Sequence, residues 1–134
     1  MIHLVPGNPS AVDARTSLGA EAGSAAAARR FVADVLNQRG FSKSAIEDAV
    51  LLASEAVTNA VLHAGSSVDV VVIADSSMAR VEVHDAHPSH PVMLASGAEA
   101  TFGRGLRVIE ALAGGWGVDD RGDRGKCVWF EVRS

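Results

Sequence analysis

Cysteine is nearly absent from the chain. Cys127 stands alone, which excludes an internal disulfide and a zinc site built on cysteines. An excess of basic residues is missing too. The formal net charge is -4, whereas a general DNA or RNA coat needs a basic face. That mild charge leaves protein partners open. No stretch approaches the roughly 18 consecutive apolar residues that span a bilayer. The N-terminus carries Pro6, Asn8, Pro9 and Asp13 instead of a basic segment followed by an apolar run, so a signal peptide is not expected. These absences lead to the expectation of a cytoplasmic protein with no membrane segment and no direct nucleic-acid contact. What is present is 134 residues, 48% of them apolar: room for one domain, 1–134, with a real core, and too apolar for a disordered chain.

The pattern along the chain sets out the elements. Residues 1–23 read as a loosely structured segment or edge strands, with a short strand at 2–5 and another at 14–20. Ser24 opens a first helix that Gly40 follows, with Ala28, Phe31, Val32, Val35 and Leu36 on one stripe. Ser44-Ala-Ile-Glu47 has capping-box form and opens a second helix running to about His63, stopped by Gly65. Leu51, Leu52, Ala56 and Leu62 extend its apolar surface nearly all round, which predicts cover on both sides. Residues 68–74 and 79–84 form a hairpin around Asp75-Ser-Ser, with Val81 and Val83 on one face. A long connector, 85–102, precedes a helix over 106–113 that Gly114-Gly115 ends. Strands at 116–118 and 126–132 close the chain, with Trp129 expected in the core. The plan is α/β in the two-layer sense, an α+β sandwich with helices on one face of a mixed, mostly antiparallel sheet.

Four places can carry chemistry. Glu55, Asn59 and His63 recur every fourth residue and share one helix face. Glu55 paired to an arginine and Asn59 capping a loop is the structural reading; a metal and proton-transfer site is the functional one, since Asn offers a neutral oxygen to Mg²⁺ and Glu can accept a proton. His63, near the helix end, reads as structural. Asp85 ends a hydrophobic strand, where it either starts a turn or accepts from an exocyclic amine. Gly103-Arg104-Gly105-Leu106 starts a helix, so its free amides either cradle an anion or belong to a plain loop. Gly125-Lys-Cys127-Val-Trp-Phe is a closing strand or part of a binding edge.

In order and spacing these four resemble the boxes of the GHKL ATPases, the Bergerat fold. Glu55-Ala-Val-Thr-Asn59 with His63 is similar to the N box, Val83-His-Asp85 to the start of the G1 box, Gly103-Arg-Gly105-Leu106 to the G2 box, and Gly125 onward to the last strand. The wording Leu-Leu-Ala-Ser-Glu-Ala-Val-Thr-Asn-Ala, with Gly-Arg-Gly-Leu and the short length, further resembles anti-sigma-factor serine kinases of the RsbW type and their stand-alone actinomycete relatives. The resemblance implies ATP and Mg²⁺ as cofactors. It implies Asn59 as the Mg²⁺ ligand, Glu55 as catalytic base toward a seryl hydroxyl, and Asp85 as reader of the adenine amine. It places Gly103, Arg104, Gly105 and Leu106 at the phosphates under a lid formed by 86–102, and Cys127 near the adenine. Two positions depart from the pattern. Asp-x-Gly is replaced by Asp85-Ala86-His87, and Cys127 stands where a threonine is usual, a weaker donor.

The same resemblance implies a serine kinase that phosphorylates a STAS-domain anti-sigma antagonist and sequesters a sigma factor, as a homodimer. A nucleotide-gated binding module without catalysis, which the two departures favour, and an interaction domain that has lost ATP are the rivals. Intact Asn59, Asp85 and the 103–105 start argue against the last.

Overall fold

The computed structural model describes residues 12–85, 114–120 and 125–134. Strand β1 (Val12–Leu18) leads into helices α1 (Ser24–Gln38) and α2 (Lys43–Asn59), with a π-helical turn at Ala60–Ala64. Strands β2 (Val68–Ala74), β3 (Met78–Asp85), β4 (Gly115–Asp120) and β5 (Lys126–Arg133) follow. The five strands form one sheet in the order β1-β2-β3-β5-β4. Every pairing among them is antiparallel, so the expected mixture reduces to antiparallel pairs among the described residues. The strand expected at 2–5, the 86–102 connector and the helix expected at 106–113 lie outside the described residues.

Both helix starts differ from the sequence expectation by one turn or less. Ser24 is the first residue of α1, not its cap; Gly23 holds the cap position, and Ser24 Oγ donates to Gly19 O at 2.5 Å. Ser42, not Ser44, caps α2. Its extended backbone (φ -65°, ψ 156°) lets its hydroxyl accept from Ala45 N–H at 3.1 Å. Ser44 is left exposed on the first turn. Between the helices, Gly40 adopts φ 77°, and Phe41 N–H reaches back to Leu36 O at 3.1 Å. This is a Schellman closure, which the absence of a Cβ permits. Gly65 (φ 62°) ends the π turn in the same left-handed way, its N–H bonding Ala60 O.

Strand alternation builds the core. Ala79, Val81 and Val83 of β3 face the same side as Val128, Phe130 and Val132 of β5, and all are buried. Val68, Val70, Val72 and Ala74 join them from β2. Ala28, Val32, Val35 and Leu36 of α1, with Ala49, Leu52, Ala53, Ala56 and Val57 of α2, close the layer over them. This is the expected two-layer arrangement. The expected two-sided cover of α2 is seen on one side only among the described residues: Leu51 is 46% exposed and Leu62 is 66% exposed.

Among the described residues, the opposite face of the sheet carries a polar cluster and no second layer. Trp129 belongs to this face, not to the core, because its neighbours Val128 and Phe130 already point inward. Its indole lies over Gly117, where a Cβ would come within 2.7 Å of the ring, and the Arg80 guanidinium stacks 4.3 Å from a ring centroid of Trp129. Gly117→Ala should therefore destabilise the protein by about 1–3 kcal/mol through overpacking against a rigid ring. Urea denaturation measures this; a change within error would mean that the indole shifts freely.

Arg80 Nε also donates to Glu82 Oε2 at 2.8 Å, and His84 Nε2 donates to Glu82 Oε1 at 2.9 Å. These partners hold the Glu82 carboxyl at about 2, below its ordinary 4.5. The His84 hydrogen bond contributes most, followed by Arg80, both acting against burial. A carboxyl depressed on folding stabilises the protein above its unfolded value. That contribution fades as pH falls from about 4.5 through about 2. Glu82→Gln should flatten this part of the stability–pH curve in chelator-treated protein. An unchanged acid limb in urea titrations at successive pH values would contradict it.

Candidate nucleotide site

Asp85 is the last residue of β3. Two-residue alternation from Val81 and Val83 places it on the helix-facing side of the sheet, 4% exposed. Directly across in β5 stands Lys126, 5% exposed. Its ammonium donates to Asp85 Oδ2 at 2.5 Å. Each charge helps the other to be tolerated at this depth. Gly125, with φ 92°, is the hinge from which β5 starts, a conformation that L side chains rarely adopt. One carboxylate offers about four lone-pair sites.

On α2, Glu55 and Asn59 lie one turn apart, both half-buried. Neither side chain has a hydrogen-bond or ion-pair partner among the described residues. Among the described residues no arginine pairs with Glu55, one of its two sequence readings: Arg29 Nη1 donates to the neighbouring Ser54 Oγ at 2.9 Å. A half-buried carboxylate and amide without a partner among the described residues are suited to a ligand, and a hard cation is one that both oxygen types take. Immediately after Asn59 the helix widens into the π turn that contains His63. Such turns are rare and recur at functional sites.

Not every expected residue joins this side. Cys127 follows Lys126 and so points to the opposite face, where its sulfur lies 3.7 Å from His84 Nε2. The expectation that Cys127 lies near an adenine read by Asp85 is corrected: strand alternation separates the two by the thickness of the sheet. Lys126, which no sequence motif singles out, occupies that place. Counting back in twos from Phe130 and Val128 finds it. Gly103, Arg104, Gly105 and Leu106 lie outside the described residues, as does the 86–102 lid.

Residues 18–132 match the histidine kinase-like ATPase domain. The chain is also 38% identical over 76 residues to an uncharacterized protein of Streptomyces coelicolor, a match covering 53% of this chain and 72% of that protein. The chain belongs to the histidine kinase-like ATPase family, the GHKL type, and its helices over an antiparallel sheet are that family's ATP-binding domain. No helix among the described residues is long and apolar enough to cross a membrane.

Proposed function

We propose that the protein is an ATP-binding anti-sigma regulatory factor, a serine kinase that phosphorylates a STAS-domain antagonist and otherwise holds a sigma factor. The supporting observation is the open pair on α2: Glu55 and Asn59, half-buried, one turn apart and without partners among the described residues. ATP with Mg²⁺ fits the donor set and would supply the phosphoryl group and its charge neutralisation. Asn59 would lend its amide oxygen to the cation. Glu55 would take the proton of an incoming seryl hydroxyl as that oxygen attacks. Asp85, held in place by Lys126, would accept from the exocyclic amine of the base. Gly103, Arg104, Gly105 and Leu106 complete the proposal at the phosphate end, and a homodimer is the proposed assembly.

Incubation with labelled ATP and candidate STAS proteins tests this reading. Transfer that Glu55→Ala abolishes while ATP affinity stays within about twofold supports the kinase, because a positioned base contributes on the order of 10²–10⁴-fold. Sigma-factor binding that responds to ATP, with no transfer to any STAS protein, supports the nucleotide-gated binding module. The Lys126–Asp85 pair gives that second reading its specific footing, since it already engages part of the base-reading carboxylate.

A further inference from the structure

The outer face of the sheet brings together three donors that are far apart in sequence. Glu82 and His84 alternate onto this face from β3, and Cys127, directly opposite His84 in β5, joins them. One ligand atom from each lies within 4.8 Å of the other two, the sole such group of three or more among the described residues. We propose that Glu82, His84 and Cys127 form a binding site for a borderline-soft divalent cation, Zn²⁺ in the first instance.

The spacing carries the assignment. Zn–N bonds of about 2.0–2.1 Å and Zn–S bonds of about 2.3 Å put tetrahedral donors roughly 3.3–3.7 Å apart. Cys127 Sγ and His84 Nε2 are already 3.7 Å apart. Glu82 Oε1, at 2.9 Å from the same nitrogen, has to withdraw by only about 0.4 Å to match. The donor set is right in kind: thiolate, imidazole and carboxylate are the three protein ligands zinc uses. A thiolate and a carboxylate together neutralise the 2+ charge. Glu82 Oε2 stays bonded to Arg80, the outer support that ligating carboxylates usually have. Cys127 is fully buried beneath, while the partly open Glu82 and His84 give the ion its entry.

Binding is proton-balanced. The Cys127 thiol gives its proton to solvent, and the His84 proton moves from Nε2 to Nδ1, so that Nε2 offers a lone pair. Three protein ligands leave one position for water. The ion would pin β3 to β5 one residue away from both Asp85 and Lys126, on the other side of the sheet. The single cysteine still rules out a cysteine-built zinc site. The mixed set is legible only once the register pairs His84 with Cys127.

Titrating the reduced, chelator-treated full chain with Co²⁺ tests the site. The expected result is a near-ultraviolet thiolate-to-cobalt absorption that saturates at one equivalent and is displaced by Zn²⁺. Cys127→Ser should abolish that absorption and weaken Zn²⁺ binding at least ~10-fold, and His84→Ala should weaken it comparably. Circular dichroism of the metal-free variants establishes that they fold. If a variant unfolds, the wild-type titration still decides. Absence of the thiolate absorption at one equivalent overturns the proposal, as does Zn²⁺ binding that a folded Cys127→Ser retains in full; either leaves the cluster a hydrogen-bonded network of Arg80, Glu82 and His84.

Discussion

Lys126→Met is expected to cost about 3–5 kcal/mol of folding stability, a larger effect than that of any other substitution proposed for this chain. Lys126 and Asp85 are 5% and 4% exposed and bonded to each other at 2.5 Å. Removing the ammonium takes from the buried Asp85 carboxylate the counter-charge that Lys126 supplies. Folded domains of this kind hold only about 5–15 kcal/mol in total, so the variant should sit near the edge of stability at 25 °C. The double variant Lys126→Met with Asp85→Asn separates the pair from mere packing. It should recover a large part of the loss, because no uncompensated charge remains. Urea denaturation of the four proteins closes the cycle. A double variant as unstable as the sum of the singles would mean that the two charges are not coupled.

The second large effect concerns α2. If Asn59 holds the cation as proposed, Asn59→Ala should weaken Mg²⁺-dependent ATP binding on the order of 10–100-fold, the loss of one ligand oxygen to a charged group. It should leave stability within about 0.5 kcal/mol, since the Asn59 side chain is half-buried and makes no hydrogen bond among the described residues. The opposite outcome, lost stability with ATP affinity intact, would make Asn59 a structural residue. Calorimetry with and without Mg²⁺, alongside thermal denaturation, distinguishes these outcomes.

Much of this arrangement is readable from residue pattern. The α1 stripe, the left-handed glycines at 40 and 65, the β2–β3 hairpin and the one-sided helix layer all arise from local signals that tertiary packing reinforces. Glu55 and Asn59 are legible as polar residues on an apolar helix, though the spacing alone does not say whether a partner satisfies them. The departures have one cause each. Ser44 satisfies a motif, but Ser42 has the extended backbone and the reach to Ala45 N–H. Motif points Cys127 to the inner side, and size points Trp129 there. Alternation puts both outside, because Val128 and Phe130 take the inner positions. The same count reveals Lys126, which its charge hides: a lysine is seldom expected in a core, and its partner Asp85 is 41 positions away.

Asp85, Asn59 and Glu55 are proposed to line one nucleotide pocket. Calorimetric titration of the full chain with Mg-ATP, repeated on Asp85→Asn, tests it most directly. The expected result is one ATP bound per chain, with affinity falling at least ~10-fold in Asp85→Asn, because an amide turned toward the base can no longer accept as the carboxylate does. Wild-type protein that binds no ATP at millimolar concentration, or binds it equally well without the Asp85 carboxylate, would contradict the claim.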